Sequence, residues 1–205
     1  MGSANLEKVP DWIHAVNMLP PLWELHLSGC GLVTLPQSIS TINFTLLSVI
    51  DLSQNYFNSF IPWWLTNVSG LSTIELVSTE LIGAIPVGLG HLNNLCNLEL
   101  GYNYFVGKIP NSFSNLCNLQ TFDMEYNNIS EEINDFLDGF SQCSNNSLED
   151  LNFNGNTLLG GNLSPSLDKL RNLKTTDINA LSWVQFQILL ETCRYCKNFI
   201  SHTIK

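Results

Sequence analysis

The sequence predicts an α/β solenoid, a right-handed superhelix of about seven coils with a parallel β-sheet on its concave face. Two observations carry the prediction. Leu47, Leu71, Leu95 and Leu119 stand 24 residues apart, followed by Leu148 and Leu173, and Leu22 lies 25 before Leu47. The spacing inside the units is kept as well. Leu47, Ile50, Leu52, Phe57, Ile61, Leu65 and Val68 are matched by Leu71, Ile74, Leu76, Leu81, Ile85, Leu89 and Leu92, and again by Leu95, Leu98, Leu100, Phe105, Ile109, Phe113 and Leu116. A fixed period in the twenties with the phrase LxxLxLxxN is the leucine-rich-repeat signature, in which each unit supplies one short strand and one return segment.

The strand comes first in each unit. Its LxL residues point inward and the residues between them face solvent, so Leu52, Leu76, Leu100, Met124 and Phe153 are expected to lead the core. The ninth position of each unit holds Cys30, Asn55, Thr79, Asn103, Asn127 and Asn156, side chains that can satisfy backbone where the chain turns inward. A buried polar group must find a partner, and a ladder of like neighbours is the expected one. The return segment carries the phrase Gly-x-Ile-Pro. Gly83 and Gly107 allow a tight backbone, Ile61, Ile85 and Ile109 plug the core, and Pro62, Pro86 and Pro110 fix φ as the chain leaves it.

The repeat array is expected over residues 1–178, beginning in the middle of a coil, because Met1 to Leu6 aligns with Leu27 to Leu32. Residues 179–205 leave the lattice, with Leu181 where Asn is wanted, and read as a truncation tail or as a terminal helix. The fifth unit is 29 residues long, has Asn134 in place of proline, and carries its extra residues around Ser141 to Asn145. That insertion brings Cys143 close in register to Cys117 of the coil before. Neighbouring coils suit the Cα separation of a disulfide, which leaves two readings, a bridge or two independent thiols.

Composition narrows the function classes. The 18 acidic and 8 basic residues give a net charge of −10, which argues against a nucleic-acid partner, whose phosphates need Lys and Arg. Charged residues are only 13% of the chain, a polar but weakly charged balance that suits extracellular repeat proteins. No phosphate loop, nucleophile elbow or HExxH helix is present, and His14, His26, His91 and His202 are scattered, so neither an enzyme nor a cofactor is expected. Cys193 and Cys196 with His202 make half a zinc site, which reads as incidental. Sequons occur at Asn43, Asn67, Asn128, Asn145 and Asn162, about the number chance gives in so Asn-rich a chain, and all avoid the inward leucine positions.

The concave face offers the candidate ligand site. Its central outward column runs His26, Asp51, Glu75, Glu99, Asp123, Asn152 and Asp177. A solvated acidic face is one reading. The other is a recognition patch made of Tyr102 and Tyr126, stacked in adjacent coils, with Glu99, Asp123 and Glu125.

The fuller phrase LxxLxLxxNxLxGxIPxxLxxL, together with VNMLPPLWELHLSGCGL, NLCNLQTF and FLDGFSQCSNNSLEDL, resembles the plant-specific leucine-rich repeat and the ectodomains of plant receptor-like proteins, over residues 1–178. The resemblance implies a non-enzymatic, cell-surface recognition module in defence or developmental signalling. It further implies a peptide, protein or glycan ligand and partner receptor kinases. Two rivals are a soluble binding protein of the polygalacturonase-inhibitor type and a truncated product without function. Members of the family begin with a signal peptide and a cysteine-paired cap. The sequence shows neither, nor an apolar run long enough to span a bilayer, so a truncated chain is the expectation.

Overall fold

The computed structural model describes residues 5–19, 21–130, 133–156, 166 and 169–177. Met1, Asn162 and the 179–205 segment, with Leu181, Cys193, Cys196 and His202, lie outside them.

Seven three-residue strands form one parallel sheet. They are β1 (Glu24–His26), β2 (Val49–Asp51), β3 (Thr73–Glu75), β5 (Asn97–Glu99), β7 (Thr121–Asp123), β9 (Asp150–Asn152) and β10 (Thr175–Asp177), adjacent in that order. Register is kept from end to end: His26, Asp51, Glu75, Glu99, Asp123, Asn152 and Asp177 are successive partners. The middle residues Ile50, Ile74, Leu98 and Phe122 are fully buried, as are Leu52, Leu76, Leu100, Met124 and Phe153. Period-two alternation therefore puts one side of every strand into a single continuous core.

A second parallel sheet runs along the flank where the coils turn back, from β4 (Ile82–Gly83), β6 (Tyr104–Gly107) and β8 (Asn128–Ile129). Gly83 and Gly107 end their strands in the left-handed region, at φ 83° and 82°. Pro86 and Pro110 follow in extended conformation and lead into the 3-10 turns Val87–His91 and Asn111–Asn115.

The expected asparagine ladder is present, but its partners are backbone rather than like side chains. Asn103 Nδ2 donates to the carbonyls of Leu100 and Gly101 in its own coil and of Leu76 in the coil before. Its Oδ1 accepts the N–H groups of Thr79 and Leu81. Asn55, Asn127 and Asn156 repeat the pattern, each tying its coil to the preceding one. Thr79 Oγ1 donating to Asn103 Oδ1 is the one side-chain rung among the described residues.

The fifth unit carries its extra residues after Phe140, around Ser141 to Asn145 as expected, and differs also in its return segment. Besides the turn near Cys143, the return segment is an α-helix, α2 (Ile133–Phe140), where the two coils before it have a five-residue 3-10 turn. Eight α-helical residues rise about 12 Å and five 3-10 residues about 10 Å, so the longer segment still spans one coil. The helix packs Phe136 against Phe122 and Phe153, with ring centroids 5.4 and 5.8 Å apart. The first coil also contains a helix that periodicity misses, α1 (Trp12–Asn17). Trp12 Nε1 donates to Thr34 O, and Asn17 bonds both Thr41 O and Asn43 N, which ties α1 to the coil after it.

Candidate ligand-binding surface

The concave columns are set by strand register, and the turn just beyond each strand is set by backbone handedness. Gly29, Gln54, Ser78, Tyr102, Tyr126 and Gly155, each one residue before the ninth position, all adopt left-handed φ, between 48° and 73°. Side chains leaving such a turn line up coil upon coil. The two tyrosines consequently stack, with ring centroids 4.8 Å apart at 29°. The ring of Tyr126 rests on Gly155: a Cβ there would lie 2.7 Å from Tyr126 Cδ1. Both rings remain about half exposed, Tyr102 at 50% and Tyr126 at 51%.

Hydrogen bonds fix this shelf across three coils. Tyr102 Oη donates to Glu125 Oε1 at 3.1 Å, and Asn152 Nδ2 donates to Glu125 Oε2 at 3.2 Å. Asp123 Oδ1 accepts the Glu125 N–H at 2.7 Å, as Asp51 accepts Ser53 N and Asn152 accepts Asn154 N. The acidic column thus has two kinds of member. Asp51 and Asp123 brace backbone, whereas Glu75 and Glu99, with longer side chains, do not. Burial first, then the Asp51 charge, pushes the Glu75 carboxyl up from its ordinary range. Burial and the charges of Glu75 and Asp123 push Glu99 up, and burial outweighs the Glu125 N–H to raise Asp123. Burial and the bond to Glu125 raise the Tyr102 phenol, which stays a donor.

The patch residues Glu99, Tyr102, Asp123, Glu125 and Tyr126 fall on adjacent coils. Beside them is a concave cleft of about 320 Å³ lined by Glu99, Thr121, Asp123, Asp150, Asn152 and Thr175. Sequence reasoning missed Asn152 as a brace and Gly155 as the seat of Tyr126. The available signal was the small or polar residue before each ladder position in SGC, SQN and NGN.

The remaining candidates sit elsewhere. Cys117 and Cys143 are joined, with Cα atoms 5.5 Å apart. Cys30 and Cys96 are free thiols. Asn43, Asn67, Asn128 and Asn145 are exposed. No group of His, Cys, Asp and Glu that could hold a metal ion, and no helix long and apolar enough to cross a membrane, occurs among the described residues.

The Leucine Rich Repeat family model matches residues 46–68, 94–116 and 118–140. Among solved structures, the Arabidopsis receptor kinase HAESA in complex with the peptide hormone IDA and the co-receptor SERK1 is 30% identical, over 75% of this chain and 25% of that one, with a TM-score of 0.67. The plant peptide hormone receptor RGFR1 in complex with RGF2 is 26% identical, over 75% and 24%, with a TM-score of 0.61. A leucine-rich-repeat protein of Leptospira interrogans, 21% identical over 87% and 48% with a TM-score of 0.63, shares the fold alone. The chain spans about a quarter of the length of the two plant receptors. No curated protein sequence matches it. The chain carries leucine-rich repeats and folds as a leucine-rich-repeat solenoid. Its repeats are of the kind found in the ectodomains of plant leucine-rich-repeat receptors.

Proposed function

We propose that the chain is part of a non-enzymatic extracellular recognition module, belonging to a cell-surface receptor-like protein that acts in defence or developmental signalling. It takes a peptide ligand on the concave face and works with partner receptor kinases. Supporting this reading, HAESA and RGFR1, which the array resembles, are held in complex with peptide hormones, and HAESA with a co-receptor as well. The observation that carries it is the stacked Tyr102–Tyr126 pair, half exposed yet braced across three coils. Rigid aromatics beside polar groups are what anchor a partner at an interface, and truncating such an anchor costs ~2 kcal/mol or more.

The test is panning of a random dodecapeptide library against the chain secreted from plant cells. Peptides are expected to be enriched on the wild type and on a convex-face control, Ser112→Ala with Asn115→Ala. They are expected to be lost on Tyr102→Ala with Tyr126→Ala. Equal enrichment on both variants, or none on the wild type, overturns the concave site.

A further inference from the structure

We infer that the Tyr102–Tyr126 shelf, together with the carboxylates of Glu75 and Glu99, is a subsite for an arginine side chain of the ligand, an inference that rests on the reading of the concave face as a peptide surface. The shelf supplies the aromatic half. Tyr126 lies between Tyr102 and Gly155, so the face left to a ligand is that of Tyr102 turned away from Tyr126; both residues stay about half exposed, and Glu125 and Gly155 fix the orientation of the pair. A planar guanidinium stacks on such a face and is attracted by the ring quadrupole, and it sheds water more readily than an ammonium.

Charge supplies the other half. The ion pairs of the described residues are His26 with Glu24 and Asp51, and Lys174 with Glu149. None reaches Glu75, Glu99, Asp123 or Glu125. Glu125 is committed to Tyr102 and Asn152, and Asp123 to its own turn, so their oxygens are largely spent on holding the shelf. Glu75 and Glu99 are register partners on adjacent strands, and among the described residues no side-chain hydrogen bond engages either carboxylate. Like charges on adjacent strands repel: burial first, and then the charges of Glu75, Asp123 and Asp51, hold the Glu99 carboxyl above its ordinary range, while burial and Asp51 raise that of Glu75. An aromatic shelf with polar neighbours could also stack a sugar ring. A neutral sugar would leave the repulsion between Glu75 and Glu99 in place, whereas a cation relieves it, and this favours arginine.

The experiment uses the secreted full chain and three fluorescent octapeptides of one glycine–serine background, carrying two arginines, two lysines or two citrullines. Citrulline keeps the planar side chain and removes the charge. The arginine peptide is expected to bind saturably, with the citrulline peptide weaker by about tenfold or more and the lysine peptide between them. Glu75→Gln with Glu99→Gln should weaken the arginine peptide by a similar factor without lowering the melting temperature. Glu80→Gln, in the turn between β3 and β4, should leave binding unchanged. Arginine and citrulline peptides bound alike, or no change on losing both carboxylates, overturns the subsite. So does binding of a neutral xyloglucan oligosaccharide with neither charged peptide. If the library panning instead yields peptides without arginine that still depend on the tyrosines, the concave site stands and the arginine subsite falls.

Discussion

Tyr102 donates its phenol hydrogen to Oε1 of Glu125 in the next coil at 3.1 Å, while Asn152 holds the other carboxylate oxygen from the coil beyond. Two donors on one carboxylate make Glu125 the pin of the aromatic shelf. Glu125→Gln offers only one acceptor oxygen, so either Tyr102 or Asn152 loses its partner. Both can turn to water, and the stability loss should stay below about 1 kcal/mol in urea unfolding. The near-ultraviolet circular dichroism of the tyrosine pair should change nonetheless. An unchanged spectrum would mean that stacking alone sets the rings.

Gly155 and Gly107 separate ring contact from backbone handedness. Both are left-handed, at φ 73° and 82°, but a Cβ at Gly155 would strike Tyr126 while one at Gly107 meets nothing within 4 Å. Gly107→Ala should cost only the left-handed penalty, about 1–2 kcal/mol. Gly155→Ala should cost more and also disturb the tyrosine spectrum. Equal costs with an undisturbed spectrum would show that Tyr126 does not rest on Gly155.

The lattice was legible in the sequence because a solenoid repeats one burial decision: Leu47, Leu71, Leu95 and Leu119 face the same core at the same step. The outward column from His26 to Asp177 followed by alternation alone, and the pairing register reproduces it. Tertiary choices were less visible. Helix α1 is recruited by burial of Trp12 and Ile13 against the first coils, and six residues carry too little periodicity to announce it. Helix α2 exchanges a 3-10 turn for an α-helix, a change of hydrogen-bond pattern that leaves the apolar spacing of Leu137 and Phe140 unaltered from that of Phe113 and Leu116. At the site, the residue types were readable, but their division into braces and free carboxylates was not. Whether an acid bonds a nearby N–H depends on side-chain length and turn shape: Asp123 reaches back to Glu125 N, whereas Glu99, one methylene longer, has Gly101 at the equivalent position and makes no such bond.

Asn103 is the densest rung of the polar ladder, with three donated bonds and acceptance from Thr79 and Leu81. Asn103→Ala leaves several buried backbone groups without partners, each worth about 1–3 kcal/mol when unsatisfied. The expected loss is at least about 3 kcal/mol, larger than for truncating exposed Asn118, and chemical denaturation of both variants measures it. A loss no greater than that of Asn118→Ala would contradict the backbone role of the ladder.

Cys117 and Cys143 are 26 positions apart in sequence and close the end of α2 onto the preceding coil. Formed in an oxidising compartment, the bond should stabilise by roughly 3 kcal/mol on the chain-entropy account. Peptide mapping of secreted chain without reduction should find the two peptides linked, and Cys117→Ala with Cys143→Ala should melt lower. Recovery of both cysteines alkylated before any reduction would remove the bridge.

The pH dependence of stability follows from the acidic column. Glu75, Glu99 and Asp123 all have carboxyls raised in the fold, by burial first and then by one another or by Glu125 and Asp51. A folded pKa above the unfolded one means that the folded state holds the proton more tightly. The stability these groups contribute is therefore fully present below their ordinary values, 4.5 for glutamate and 3.8 for aspartate, and is lost as pH rises through the raised folded values. Relieving the column's repulsion by mild acid should raise the melting temperature as the pH falls from neutrality toward the ordinary glutamate value of 4.5. His26 lowers Glu75 and so moderates its share of the effect. Glu75→Gln with Glu99→Gln removes two of the three groups, so the variant should melt higher than wild type near neutrality and show a flatter profile. Calorimetry at both ends of this range decides it: a wild-type chain that loses stability on this acidification, in parallel with the variant, would place the governing titration outside the concave column.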